Sequence, residues 1–167
     1  MIAAAWRAIE AHLGSSDVAR VIYGAIIGLA FVVALEQHPP TVAQTVGAIV
    51  ATALAVGLAE MYSEFVGAEA RERRHIGRAE VRVLAVDALA VTFGAGFPAL
   101  FFVLAAIGVV ELDTAFTLAK WTGLALIGGY GFIAARLAGS GTGAALLHAS
   151  ALGAVGGALI AVKALLH

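Results

Sequence analysis

Residues 41–74 read TVAQTVGAIVATALAVGLAEMYSEFVGAEARERR, and this stretch changes character along its length. A long apolar segment runs into two glutamates, Glu60 and Glu64, with Met61 beside them, and then into a segment rich in arginine. Because residues four apart lie on one face of a helix, Glu60 and Glu64 are expected to stack. Carboxylates at the edge of a hydrocarbon span are costly to place, which makes this pair a functional candidate.

The composition of the chain is that of an integral membrane protein. Of its 167 residues, 62% are hydrophobic and 13% are charged, whereas a soluble domain has about half apolar and about a quarter charged residues. Helices rich in glycine and alanine favour a helical bundle over a barrel, whose strands would alternate apolar and polar residues. The predicted fold class is therefore all-α, with the lipid bilayer as its surroundings. A net charge of -1 argues against nucleic acid as a partner.

Five membrane spans are predicted from the apolar segments and the breaks between them. Proline ends the first span at Pro39, and the segment Gly94-Ala95-Gly96-Phe97-Pro98 predicts a kink in the third. The segment 67–82, between spans two and three, is predicted to be a charged linker. The spans cover about residues 18–35, 41–66, 83–110, 114–137 and 143–166.

The first sixteen residues have a different pattern, which predicts an amphipathic helix lying in the membrane interface. Ile2, Trp6, Ile9 and Leu13 recur at helical spacing among charged residues, and tryptophan is favoured at the level of the lipid headgroups. The chain is thus expected to comprise an N-terminal amphipathic helix, residues 1–16, and one transmembrane domain, residues 17–167.

The distribution of basic residues predicts the orientation in the membrane. Eight arginines fall on one side of the predicted spans and two lysines, Lys120 and Lys163, on the other. By the positive-inside rule, the N-terminus and the linker are cytoplasmic and the C-terminus, after five spans, is outside. We expect a multi-pass protein of the plasma membrane, of the bacterial inner-membrane type. The eight arginines are Arg7, Arg20, Arg71, Arg73, Arg74, Arg78, Arg82 and Arg136.

Small residues in two spans predict close helix packing. Gly24 and Gly28 lie one turn apart in span one, a spacing that lets another helix approach closely. We expect this surface to join two copies of the chain in a homodimer. Gly153 and Gly157 in span five have the same spacing and are the second candidate for that contact.

Several segments together resemble the vacuolar iron transporter family. Glu64-Phe65-Val66 is similar to the family's Gly-Glu-Tyr-Val segment at the end of the second helix. The glycines and proline of Gly94 to Pro98 and the closing pattern Ala135-Arg136-Leu137-Ala138-Gly139 also fit. The resemblance covers nearly the whole chain and implies a five-helix homodimer that carries Fe2+ or Mn2+. It implies transport across the membrane, with no enzymatic activity and no prosthetic group.

The resemblance and the residue chemistry together indicate a metal site at the cytoplasmic end. Carboxylate oxygens suit Fe2+ and Mn2+, and a thioether ligand discriminates against Ca2+ and Mg2+. The alternative is that the glutamates pair with Arg20 or with the linker arginines, and for Asp87 the pairing with Arg20 is favoured. The candidate metal ligands are Glu60, Met61, Glu64, Asp17 and Asp87.

Two departures from the family pattern keep a second function open. The family's first helix resembles Asp-Gly-x-x-Asp-Gly, whereas the matching region here retains only Asp17 and has Arg20 nearby. Iron-transporting members often carry a long Glu-rich insertion where this chain has only residues 67–82. The alternative to a proton-coupled metal exporter is a non-transporting membrane subunit that serves assembly.

Overall fold

The computed structural model of the protein describes residues 17–165; of Asp17, Val155, Leu159 and residues 162–165 it describes the backbone only. Those residues form helices joined by short turns, with no strand among them, so the all-α prediction is confirmed. The predicted amphipathic helix at residues 1–16 lies outside the described residues. The helices are α1 (Asp17–Leu35), α2 (Val42–Glu72), α3 (Arg78–Gly96), α4 (Ala99–Ala106), α5 (Leu112–Leu137) and α6 (Thr142–Leu165).

Several of these helices have the length and composition of membrane spans. Within residues 17–165, α1, α2 and α5 are long and apolar enough to cross a bilayer. The pair α3 and α4 would make a fourth span, bent by 52° at the break between them. Pro98 lies at that break because it has no N–H to bond to the Gly94 carbonyl one turn earlier. The predicted kink is therefore confirmed.

The second helix is longer than the sequence pattern indicates. The pattern predicts an end near Val66, and the helix instead continues to Glu72, where Arg73 adopts a left-handed conformation with φ 51°. Its 31 residues correspond to about 46 Å, against a hydrocarbon core of about 30 Å. The last turns of α2 therefore extend beyond the thickness of an apolar core. At its start, Gln44 and Thr41 form a capping box in which Thr41 N–H donates to Gln44 Oε1 at 3.1 Å.

The centre of the fold is a close crossing of α1 and α3. Gly24 is buried so tightly that a Cβ atom there would collide with the carbonyl oxygen of Val91, and a Cβ atom on Gly94 would collide with that of Val21. At Gly28 a Cβ atom would lie 2.6 Å from the Ala95 carbonyl oxygen. Higher-numbered residues of α1 meet higher-numbered residues of α3, so the two helices run parallel.

This crossing corrects the expected role of the glycines in α1. They do let another helix approach closely, but that helix is α3 of the same chain. A second copy of the chain cannot use a surface that α3 already covers, so the prediction of a homodimer contact at Gly28 is wrong. Gly153 and Gly157 differ, because a Cβ atom on either would meet no atom within 4 Å.

The parallel crossing gives the bundle two ends, which we name by their position. At the linker end, α1 and α3 begin and α2 and α5 finish; Gly57, at the middle of α2, packs against Thr92 of α3 between the two ends. At the far end, α1 and α4 finish and α2 and α5 begin. The main core lies towards the far end, where the Phe102 and Phe116 rings meet edge to face with centroids 4.8 Å apart. Residues 73–77 form the turn between α2 and α3 at the linker end.

Alanine substitutions test the crossing. Gly24→Ala should lower the free energy of unfolding by about 1–3 kcal/mol, because overpacking against backbone atoms forces the helices apart. Gly47→Ala is the matched control, since a Cβ atom added to Gly47 of α2 would meet no atom within 4 Å. Thermal unfolding in detergent, with crosslinking to count subunits, measures both effects. Equal melting temperatures for the two variants would contradict the crossing, and Gly24→Ala should leave the crosslinked fraction of folded protein unchanged.

Candidate metal site at the linker end

The predicted metal ligands are distributed over three helices that meet at the linker end. Glu60, Met61 and Glu64 lie in the later part of α2, which runs antiparallel to the beginning of α3. Asp87 lies in α3, and Asp17 is the first residue of α1. The structure therefore places these ligands at the same end of the bundle, as expected from their positions relative to the predicted spans.

The two glutamates of α2 have different surroundings. Glu60 and Met61 are half-buried, and Glu60 forms no ion pair with any residue of the described part of the chain. Glu64 has a carboxylate oxygen 3.6 Å from a guanidinium nitrogen of Arg71, but the Arg71 side chain is 69% exposed. Exposed pairs of this kind contribute about 0–1 kcal/mol. Arg71 therefore holds Glu64 only weakly, and Glu60 is the carboxylate with the greater freedom to bind a cation.

Asp87 is held much more firmly, by Arg20. The guanidinium nitrogen of Arg20 lies 3.0 Å from the Asp87 carboxylate, and the two side chains are 18% and 14% exposed. In such a poorly solvated place, an ion pair is costly to break because either partner alone would be left charged and buried. The pairing interpretation of Asp87 is confirmed, and a metal ion would have to displace Arg20 to bind there. The Nε atom of Arg20 is buried without a hydrogen-bond partner among the described residues.

Glu60, Glu64 and Asp87 do not come together into one metal cluster among the described side chains, which do not include that of Asp17. No three histidine or acidic side chains of that part of the chain are close enough together to hold a metal ion. Glu60, Met61 and Glu64 share one turn of α2, whereas Asp87 is engaged by Arg20. A cation at the α2 turn would therefore need further oxygen ligands, such as water, to complete its coordination.

The charged turn between α2 and α3 forms ion pairs among its own residues. Arg74 pairs with Glu72 and donates two hydrogen bonds to Glu80, at 2.5 and 3.1 Å. The Glu80 hydrogen bonds and the Glu72 charge raise the pKa of Arg74. His75 Nδ1 lies 2.9 Å from Glu69 Oε1. Glu72 and His75, whose spacing of three residues would suit a metal-collecting pair, thus have separate partners, and the solvated charged segment is the better interpretation.

A shallow cleft of about 240 Å³ opens beside this turn, between the end of α2 and the beginning of α3. Its two carboxylates, Glu72 and Glu80, are both paired with Arg74. The remaining wall is apolar, so the cleft offers a cation no unengaged acid. It is lined by Ala68, Glu72, Ile76, Glu80, Val83 and Leu84.

Sequence reasoning missed a second partly buried ion pair, at the far end. Lys120 of α5 donates a hydrogen bond of 2.6 Å to Glu36, just after α1, and both side chains are about one-fifth exposed, 20% and 21%. The two residues are 84 positions apart, so no local pattern connects them. The one available signal was the isolated lysine in the predicted fourth span, because an intramembrane charge is expected to have a partner.

Comparison of the chain with protein-family models, with curated proteins and with solved structures finds no match.

The different environments of the two ion pairs at the linker end predict different costs for breaking them. Asp87→Asn should lower the free energy of unfolding by about 3 kcal/mol, because Arg20 would remain buried without its counter-charge. Glu64→Gln, the matched control at an exposed pair, should change it by less than about 1 kcal/mol. Denaturant titration in detergent monitored by circular dichroism measures both. Similar values for the two variants would mean that the Arg20–Asp87 pair is solvated.

Proposed function

We propose that this protein is a small transporter of divalent metal ions, Fe2+ or Mn2+, similar in kind to the vacuolar iron transporter family. The observation that carries the proposal is the single turn of α2 bearing Glu60, Met61 and Glu64. This turn is half-buried, its Glu60 forms no ion pair within residues 17–165, and its Glu64 has only an exposed arginine as partner. Such acids are costly in an apolar helix, and metal binding would explain their position.

The chemistry of this turn fits the two metals. Carboxylates are good ligands for Mn2+ and Fe2+, and the Met61 thioether favours them over Ca2+ and Mg2+. Protons and metal ions compete for the same carboxylate oxygens, because only the deprotonated group binds a metal. We therefore propose that export of the metal from the cytoplasm is coupled to entry of protons.

The proposed topology has five spans. In it, α1, α2, the bent pair α3–α4, α5 and α6 each cross the membrane once. The bend of 52° is compatible with one crossing because helices broken by proline persist in membranes where neighbouring helices surround them. The excess of arginines at the linker end supports a cytoplasmic position for that end and for the N-terminus, with the C-terminus outside.

We propose further that the transporter is a homodimer. With Gly28 covered by α3, the remaining candidate surface is that of Gly153 and Gly157 on α6, where a Cβ atom would have open space. Small residues at this spacing allow two helices in lipid to pack closely. Gly157→Leu should then reduce the crosslinked dimer in detergent without lowering the melting temperature, and an unchanged dimer fraction would place the interface elsewhere.

The second candidate function is a non-transporting membrane subunit. It is favoured by one observation, that Arg20 neutralises Asp87 at the end of the bundle where the metal path would open. The paired arginine cancels the Asp87 charge that would otherwise attract an entering cation. The measurement of metal flux decides between the two functions.

Glutamine substitutions test the metal site directly. Glu60→Gln and Glu64→Gln keep the size of the side chain and remove its charge, so each should lower Mn2+ flux into liposomes by more than about tenfold, the scale for weakening a metal site. Met61→Leu should keep the flux and reduce the discrimination against Ca2+, because it removes the soft ligand. Flux should also fall as the pH is lowered on the side from which metal enters.

The matched control for this experiment is Glu69→Gln. Glu69 lies on the same helix but contacts His75 and the Ile76 N–H in the turn, so its variant should transport like the parent. If both Glu60→Gln and Glu64→Gln also transport like the parent, the two glutamates are not ligands. If the parent itself carries no metal, the subunit function replaces the transporter.

The orientation is tested with reporters. A reporter fused after His167 should be active only outside the cytoplasm, and one inserted in the turn at residues 73–77 only inside, because the arginines hold the linker end in the cytoplasm. Reporter activities in cells measure both positions in parallel. A cytoplasmic signal after His167 would mean an even number of spans.

A further inference from the structure

The core helices contain a sequence correspondence at a spacing of 70 residues. The segment that begins at Asp17 and the segment that begins at Asp87 share residues at six positions, and Tyr23 corresponds to Phe93. The next helices begin at Val42 and Leu112, which are again 70 residues apart. The identical pairs are Asp17 and Asp87, Val21 and Val91, Gly24 and Gly94, Ala25 and Ala95, Phe31 and Phe101, and Val33 and Val103.

The contacts between the two segments are reciprocal. A Cβ atom on Gly24 would meet the Val91 carbonyl oxygen and the Ala95 nitrogen, and a Cβ atom on Gly94 would meet the Val21 carbonyl oxygen and the Ala25 nitrogen. These are the same contacts with the two segments exchanged. A reciprocal pattern, in which i contacts j and j contacts i, is the signature of a two-fold axis. Because α1 and α3 run parallel, the axis lies along the bundle.

The core repeats this relation. The main hydrophobic cluster contains both members of each of five pairs at the same spacing, although the two members have different side chains in most pairs. Both members of each pair lie in the same cluster although their apolar side chains mostly differ in size. This supports an equivalence of position between the two segments. The pairs are Phe31 and Phe101, Val32 and Phe102, Leu35 and Ala105, Val46 and Phe116, and Ile49 and Ala119.

The two segments differ at the position of the arginine that pairs with Asp87. Arg20 of α1 forms that pair, and the residue equivalent to Arg20 in α3 is Ala90. The symmetry-related pair, from position 90 to Asp17, therefore cannot form. Asp17 and Asp87 thus occupy equivalent positions in the two segments, and Arg20 of α1 pairs with Asp87.

We propose that α1–α2 and α3–α5 are two copies of one helix-pair unit, and that Arg20 is a resident cation held by Asp87, one of the two equivalent aspartates. Asp87 is neutralised by this tethered guanidinium, which excludes an external divalent cation from that carboxylate. The relevance of that exclusion to metal passage rests on the proposed transport function. The duplication itself and the role of Arg20 do not depend on it.

Moving the arginine between the two copies tests the equivalence. In the parent protein, Asp87→Asn should lower the melting temperature by several degrees more than Asp17→Asn does. In the double variant Arg20→Ala/Ala90→Arg, the order should reverse, because the arginine at position 90 would pair with Asp17. If Asp87→Asn remains the more harmful substitution after the arginine is moved, the two copies are not equivalent and the proposal is wrong.

Mn2+ binding to the Arg20→Ala variant tests the role of Arg20 and does not require the double variant to fold. Arg20→Ala should bind Mn2+ at least about tenfold more tightly than the parent, as expected when a fixed positive charge is removed from an acid site. Adding Asp87→Asn should abolish the gain. Electron paramagnetic resonance of unbound Mn2+ in detergent measures both. Arg82→Ala, which removes an exposed arginine that forms no ion pair among the described residues, is the matched control and should bind Mn2+ like the parent.

An Arg20→Ala variant that binds no more Mn2+ than the parent would overturn the role of Arg20. Neither experiment uses transport as its readout, so failure of the proposed function remains distinguishable. If Glu60→Gln and Glu64→Gln leave the flux unchanged but moving the arginine reverses the order of melting temperatures, the transporter is rejected and the duplication is retained. The opposite result would retain the transporter and reject the duplication.

Discussion

The fold depends on the backbone contact between α1 and α3. Two glycines, Gly24 and Gly94, face each other so closely that neither position has room for a methyl group. In a lipid environment, apolar surface gains little from being buried against other apolar surface, so helices associate through close packing of small residues. Around this crossing, α2 packs beside α3 and α5 packs beside α1.

Charge is placed at both ends of α1, and each charge has a partner on another helix. Arg20 meets Asp87 near the linker end, and Glu36 meets Lys120 near the far end. The two positions on α1 are about 24 Å apart at the rise of a regular helix. An ion pair in a poorly solvated place contributes little net stability but strongly penalises a shifted register, since a shift would leave both charges unpaired. The glycines therefore bring the helices together, and the ion pairs fix how far along one another they lie.

The acids of α2 contrast with these pairs. Among residues 17–165, Asp87 and Glu36 each have a basic partner from another helix, whereas Glu60 and Glu64 do not. Carboxylates that the fold leaves weakly engaged, one turn apart and beside a thioether, retain the capacity to bind an ion. The same fold shows why the candidate site is incomplete within the described part of the chain. Arg20 already pairs with Asp87 of α3, and no third acid among the described residues joins the turn of α2.

Much of the fold follows from the sequence alone, because helix formation in an apolar chain is decided locally. The apolar segments, Pro39 and the Gly94–Pro98 kink predict helix positions close to those observed for α1, α5 and α6. Two helix boundaries were missed: α2 continues past Val66 to Glu72, and α3 begins at Arg78 instead of near Val83. Charged residues such as Glu69 and Glu72 are good helix formers outside an apolar core. The stacking of Glu60 and Glu64 was also predictable, since it depends on one helix. The partner of Gly28 and the pairing of Lys120 with Glu36 were decided by tertiary structure. The spacing of glycines shows that a helix can approach closely, and an isolated charge in a span shows that a partner is needed. Only the packing of segments distant in sequence determines which helix or which residue that partner is.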